Sequence, residues 1–208
     1  DDGAPALPEI TRVIEDNVSA KVTVTDREGG SILTYDPLPA YLEDLKTKVR
    51  FDSISAYGGK YAYDAVWGTG RGYLDKILRD HGLEVETLHD WRDVNFGGRS
   101  PEPSATQTDE LREAVKRNGC VLGLATDGDA DRFGIIDSDG TFITPNLLIA
   151  VLLDYLAESR GWTLGVARSV ATSHFVDRVA ASRGLSVYET PVGFKYIGEL
   201  INKDQIIL

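Results

Sequence analysis

The stretch Cys120-Val121-Leu122-Gly123-Leu124-Ala125-Thr126-Asp127-Gly128-Asp129-Ala130-Asp131-Arg132-Phe133-Gly134-Ile135-Ile136 places a short acidic segment between two apolar runs, and Ser138-Asp139-Gly140 follows as a turn. This pattern predicts strand, acidic loop, strand and hairpin turn. Asp127, Asp129 and Asp131 alternate with small residues, and Arg132 comes directly after them. Three anions so close repel one another unless a cation sits among them, and a hard divalent ion with oxygen ligands is the natural solution. In a straight strand alternate residues stand about 6.6 Å apart, too far to share one ion. The segment must therefore curl, and Gly128 and Ala130 are small enough to allow it. Mg2+ holds oxygens at about 2.0–2.1 Å and keeps positions open for water or phosphate, which suits three ligands from one loop.

Two other acidic loops fail on their letters. An EF-hand counted from Asp127 needs Gly at its sixth position and Glu at its twelfth, where this chain has Arg132 and Ser138. An aspartyl-phosphate loop of the haloacid-dehalogenase type wants Thr or Val at the fifth position; counting from Asp127 or Asp129 gives Asp131 or Phe133. A solvated acidic turn is the bland alternative, but such turns seldom lie between two apolar strands.

Composition narrows the function classes. The net charge of −11 argues against a general nucleic-acid or membrane-surface binder, while leaving room for a local cationic site for a small anion. With 208 residues, 42% of them hydrophobic, the chain can hold one large domain or two modest ones. A single cysteine excludes a disulfide framework and suits a reducing cytoplasm. No stretch reads as a signal peptide or a membrane span. The chain has no methionine, even at position 1, so we expect it to be an excerpt of a longer protein.

Outward from the acidic loop, strand and helix patterns alternate. A helix with proline in its first turn is expected from Pro8. Residues 18–36 are polar and partly strand-like, and a helix from Asp36-Pro37-Leu38-Pro39 carries Tyr41, Leu42 and Leu45 on one face. Residues 60–67 read as a strand and residues 74–81 as a helix ended by Gly82. Residues 83–88 read as a strand, and a helix from Thr108 ends at Gly119. Residues 146–160 form an apolar helix, Gly161 marks a seam, and the alternation resumes: strand 165–170, helix 174–183, strand 185–190, helix 194–202. The expected architecture is α/β, with two three-layer α/β/α units on mixed, mostly parallel sheets, the second unit incomplete. The expected domains are 1–36 (a tail and connector), 37–145 (bearing the metal loop) and 146–208.

The segment Asp-Gly-Asp-Ala-Asp-Arg between strands resembles the metal loop of the α-D-phosphohexomutases, the phosphoglucomutase and phosphomannomutase family. Asn95-Phe96-Gly97-Gly98-Arg99-Ser100-Pro101-Glu102-Pro103 resembles the segment that precedes that loop in the family. Glu189-Thr190-Pro191-Val192-Gly193-Phe194-Lys195-Tyr196-Ile197 resembles the turn opening its sugar-contacting region. The motifs stand in the family's order, and the resemblance covers nearly the whole chain. The resemblance implies transfer of a phosphoryl group between the 1- and 6-positions of a glucose or mannose phosphate, through a phosphoserine, a bisphosphate intermediate and Mg2+. It implies that Asp127, Asp129 and Asp131 hold the ion and that Arg132 grips phosphoryl oxygens. It also implies that the chain covers the end of domain 1, domain 2 and the first part of domain 3. The phosphorylated serine would then lie upstream of Asp1 and the Gly-Glu-x-Ser loop beyond Leu208, leaving this piece inactive alone.

Other candidates are weighed on their residues. Gly68-Thr69-Gly70-Arg71-Gly72 sits at a strand-to-helix turn but has Tyr73 where a dinucleotide fingerprint needs glycine, so it reads as a tight turn. Thr172-Ser173-His174 lacks the Asn-Pro of the family's Thr-Ala-Ser-His-Asn-Pro-like motif. Ser173 and His174 are expected to cap a helix whose amino end meets a phosphate or sugar oxygen. By resemblance, Gly193 and Phe194 contact the sugar, with Lys195 a weaker candidate. The rival functions are a structural Ca2+- or Mg2+-binding module and a metal-dependent sugar phosphatase.

Overall fold

The computed structural model describes residue 6, residues 8–20 and residues 30–208. Part of the connector expected over 18–36 lies outside the described residues. Regular structure comprises α1 (Pro8–Ser19), α2 (Leu38–Lys48), α3 (Phe51–Tyr57), β1 (Lys60–Asp64), α4 (Leu74–Asp80), β2 (Glu84–Leu88), α5 (Asp109–Asn118) and β3 (Leu122–Thr126). It continues with β4 (Phe133–Asp137), β5 (Phe142–Ile143), α6 (Pro145–Arg160), β6 (Val166–Ser169), α7 (Phe175–Ser182), β7 (Val187–Thr190) and α8 (Phe194–Asn202). The chain divides into two compact units, residues 34–145 and residues 146–208 with those of 1–33. Among the described residues no helix is long and apolar enough to cross a membrane.

The 34–145 unit is built on a mixed sheet in the order β2-β1-β3-β4-β5. β1 runs parallel to β2 and β3, and β4 is antiparallel to both β3 and β5. Because side chains alternate across a strand, Ala62 of β1 and Ala125 of β3 face α5, where Leu111, Ala114 and Val115 complete a buried cluster with Ile136. Tyr61, Leu122 and Leu124 face the other way, packing with Ile54, Leu74 and Leu78 from α3 and α4. These are the three layers expected from the sequence. Gly123 sets the approach of α5: a Cβ there would lie 2.6 Å from Val115 Cγ2 and 3.1 Å from Leu111 Cγ. Cys120 is buried and free, in the core position its apolar run predicted.

Two local differences from the sequence reading have physical causes. The strand expected over 60–67 stops at Asp64, because buried Asp64 Oδ1 accepts the Val66 N–H at 2.8 Å and bends the chain. Val66 and Trp67 then adopt φ values of 48° and 53°, which no strand contains. The helix α3 was not anticipated, since seven residues carry too little periodicity to be read.

In the other unit β6 and β7 are parallel, and Gly165 bridges Ile206, also in parallel sense. Leu153 of α6 packs with Val166, Val176 and Ala180 in a buried cluster. Gly161 and Gly184, at φ 64° and 70°, follow α6 and α7 as the sequence predicted.

Candidate metal centre

The acidic loop is a hairpin closed by its own backbone. The Asp127 N–H donates to Arg132 O at 3.1 Å, the Ala130 N–H to Asp127 O at 3.2 Å, and the Arg132 N–H to Asp127 Oδ1 at 2.9 Å. Ala130 sits at φ 65°, which supplies the curl that a straight strand lacks. Carboxylate oxygens of Asp127, Asp129 and Asp131 consequently lie within 4.8 Å of one another. On an octahedral ion with 2.1 Å bonds, oxygens stand about 3.0 Å apart when adjacent and about 4.2 Å when opposite. The oxygen-only donor set and its spacing therefore fit a small hard cation after a minor closure.

Asp127 is fully buried, whereas Asp129 and Asp131 are exposed. Burial pushes the Asp127 carboxyl up, but hydrogen bonding from the Arg132 backbone and Asp129, with the Arg132 charge, outweighs it and holds Asp127 below the usual range. Asp129 moves up, through its side-chain contact with Asp127 and repulsion from Asp131 and Asp127. Arg132 is gripped on two sides. Its Nε and Nη2 each lie 2.9 Å from Asp127 Oδ2, and its Nη1 lies 2.5 Å from both oxygens of Glu102. Three carboxylates, of Asp127, Asp131 and Glu102, thus meet one guanidinium, with Asp129 beside Asp127, an excess of negative charge that a divalent ion would relieve.

Two segments brace the loop. On one side the Thr69 N–H donates to Gly128 O at 3.0 Å, and buried Tyr63 Oη contacts both Gly70 O at 3.0 Å and Thr126 Oγ1 at 2.9 Å. The glycines of 68–72 permit this approach, so the tight-turn reading of that segment has a purpose beyond connection. On the other side Pro101 O accepts the Gly128 N–H at 3.1 Å, and a Cβ at Gly128 would lie 3.2 Å from Pro101 Cβ. Glu102, Tyr63 and Gly68 escaped the sequence reading as site residues. Only the quoted 95–103 segment pointed toward Glu102, without its partner. Arg99 pairs with Glu110 at 2.7 Å.

The remaining candidates lie in the 146–208 unit. Ser173 stands one residue before the N-cap, so its Oγ accepts the Phe175 N–H at 3.1 Å in a serine turn instead of a cap, and the Ser173 N–H donates to Asn146 Oδ1 at 3.2 Å. His174 departs from expectation: it occupies the N-cap position of α7 but its ring makes no capping bond, because Nδ1 turns to Asp177 Oδ2 at 2.7 Å and Arg168 Nη2 at 2.9 Å. Gly193 precedes α8 at φ 139°, a conformation that favours glycine. Phe194 is 82% exposed, and Lys195 Nζ lies 4.9 Å from the Tyr196 ring centre.

Arg168 forms a fork on Asp177 at 2.5 and 2.9 Å and pulls that carboxyl from its ordinary 3.8 to about 2, with His174 contributing next. A lowered carboxylate stabilises the fold above its unfolded value and loses that contribution on protonation. Thermal stability is expected to fall as pH drops from 3.8 toward about 2, and Asp177→Asn should flatten that fall. An unchanged acid limb in the variant would contradict the assignment.

A family model for phosphoglucomutase/phosphomannomutase, alpha/beta/alpha domain II, matches residues 39–140, and the model for domain III matches residues 144–208. Phosphoglucomutase 1 of Saccharomyces cerevisiae is 33% identical over 186 residues, covering 82% of this chain and 33% of the yeast protein. A phosphoglucomutase/phosphomannomutase of Thermococcus kodakarensis is 32% identical over 166 residues, covering 80% of this chain and 36% of its own. A crystal structure from Thermus thermophilus, described as a phosphomannomutase, matches with a TM-score of 0.85 at 29% identity, over 99% of this chain and 47% of that one. The chain spans roughly a third of the length of these two curated relatives. With two domain models matched in order and an acidic hairpin at the join of β3 and β4, the chain belongs to the α-D-phosphohexomutase family and corresponds to its second and third α/β/α domains.

Proposed function

We propose that this chain supplies the metal-holding and sugar-contacting parts of a cytoplasmic hexose-phosphate mutase that moves a phosphoryl group between C1 and C6 of glucose or mannose phosphates. Residues 37–145 would be the metal-loop domain, 146–208 the opening part of the sugar-contacting domain, and 1–36 the tail of a preceding domain. The observation that carries the reading is the convergence of Asp127, Asp129 and Asp131 within 4.8 Å beside Arg132.

Asp127, Asp129 and Asp131 would hold Mg2+, which when bound supplies charge neutralisation and orientation at a phosphoryl oxygen. Phosphoryl transfer asks little covalent chemistry of the protein, so positioning and fixed charge carry most of the rate. Arg132 presents a planar fork suited to phosphoryl oxygens, and Glu102 with Asp127 sets its plane in advance. Ser173, His174, Gly193, Phe194 and Lys195 would contact the sugar. No serine among the 208 residues stands in a Thr-Ala-Ser-His context, so the phosphoryl donor is assigned elsewhere in the gene product. The 208-residue chain alone is then expected to form no glucose 6-phosphate from glucose 1-phosphate.

The test uses the complete gene product with Mg2+ and glucose or mannose 1-phosphate. Formation of the 6-phosphate supports the proposal. Release of inorganic phosphate instead would make it a sugar phosphatase, and tight Ca2+ binding without isomerisation would make it a structural module. Arg132→Lys should lower kcat/KM on the order of a hundredfold, since a point charge replaces a bidentate fork.

A further inference from the structure

Arg168 is a charged residue in the interior of the 146–208 unit, its side chain only 5% exposed. It lies on β6 opposite Glu189 of β7 in the parallel ladder. Parallel strands send both following loops out at the same carboxyl edge, the place where α/β sheets bind ligands. Those loops are the β6–α7 connection, with Ser173 and His174, and the β7–α8 connection, with Gly193. Arg168 reaches the first of these loops and the strand that leads into the second. Its Nε and Nη2 fork onto Asp177 of α7, its Nη2 lies 2.9 Å from His174 Nδ1, and its Nη1 lies 2.8 Å from Glu189 Oε2.

A buried guanidinium costs a large desolvation penalty unless its donors are well used, and here they bind three side chains on three elements. The His174 ring is anchored through Nδ1, whose N–H donates to Asp177 Oδ2, the same oxygen that Arg168 Nη2 grips, so Arg168 fixes the ring through Asp177; the side chain remains 79% exposed. Nε2 has no protein partner among the described residues. Glu189 is held through Oε2 and is 53% exposed. An imidazole nitrogen and a carboxylate oxygen, both outward and both fixed from behind, suit the neighbouring hydroxyl groups of a sugar.

We propose that Arg168 is the positioning residue of the sugar-contacting edge, one buried guanidinium that holds His174 and Glu189 ready for sugar hydroxyls. The assignment of those hydroxyls rests on the function proposed above; the coupling of the two loops does not. Arg168→Lys keeps the charge but loses the fork, so the ties to Asp177, His174 and Glu189 cannot all be kept. In 15N NMR spectra of the 208-residue chain, amides of residues 170–175 and 192–196 should shift together. Glu189→Gln leaves the Arg168–Asp177 fork in place, guards against misfolding of the first variant, and should shift the 192–196 amides. In the complete gene product, Arg168→Lys should raise KM for the hexose phosphate from about tenfold to about a hundredfold with a smaller change in kcat. A merely structural role would lower the active fraction and leave KM unchanged.

A response confined to residues 170–175, or an unchanged KM, overturns the proposal. A wild-type gene product without mutase activity would remove the proposed function, and the NMR result would then decide the coupling by itself.

Discussion

Asp127→Asn is expected to abolish Mg2+ binding to the acidic loop and, in the complete gene product, to lower kcat/KM by about a thousandfold or more. Asp127 is the one fully buried carboxylate of the trio and also the residue that fixes Arg132. The asparagine keeps the volume and one acceptor oxygen, so the hairpin bond to the Arg132 N–H survives while the charge does not. A Lewis-acid ion contributes several kcal/mol at the transition state, and each 1.36 kcal/mol is about tenfold in rate. Calorimetric titration with MgCl2 is the direct measurement, and wild-type affinity in the variant would sink the metal assignment. Asp129→Asn makes the contrast sharper. Its carboxyl is held up by contact with Asp127 and repulsion from its neighbours, so neutralising it should raise the melting temperature of the metal-free chain. The same change should weaken Mg2+ binding, and excess Mg2+ should reverse the order of stability between wild type and variant. If Asp129→Asn destabilised the metal-free chain, the strain attributed to the clustered anions would not exist.

Gly68→Ala should be a damaging substitution in the 34–145 unit. The added Cβ would lie 2.6 Å from Gly128 O and 2.9 Å from Asp127 O, backbone atoms of the acidic loop itself. No side chain can swing aside, so the loop must move. Overpacking of this kind costs about 1–3 kcal/mol, or roughly 2–12 °C in Tm for a chain of this size. Since the displaced atoms belong to the acidic hairpin, Mg2+ affinity should fall with stability on the proposed function. Gly72→Ala is the control: its φ of 74° carries a backbone cost, but a Cβ there meets nothing within 4 Å. That variant should lose some stability and keep its metal affinity. Equal affinities in Gly68→Ala and wild type would mean that the 68–72 turn does not brace the loop.

These predictions draw on features of unequal visibility in the sequence. The alternation of strands and helices was legible because α5 and α8 carry clear periodicity, α6 is a long apolar run, and Gly82, Gly119 and Gly184 punctuate the ends of helices. The acidic trio was legible because its ligands are neighbours in sequence. Ala65-Val66-Trp67 was misread as strand because its left-handed turn depends on the side chain of Asp64, a contact that composition does not reveal. Glu102 lies thirty residues from Arg132, and a pairing at that distance leaves no periodic trace. Arg168 looked like one more strand residue; only the register of β6 and β7 brings Glu189 beside it. His174 was given a capping role from its place before a helix, and the nearby ion pair claimed its ring instead.

The hairpin that carries Asp127, Asp129 and Asp131 is closed by bonds between residues no more than five positions apart. Closing so short a loop sacrifices little chain entropy, and the coordinating oxygens need no distant segment to be assembled. The acidic hairpin is therefore formed locally, and the 68–72 and Pro101 segments serve to brace it. On the function proposed above, the β6–β7 edge with its loops would be free to drift in sequence while the locally formed acidic hairpin is kept.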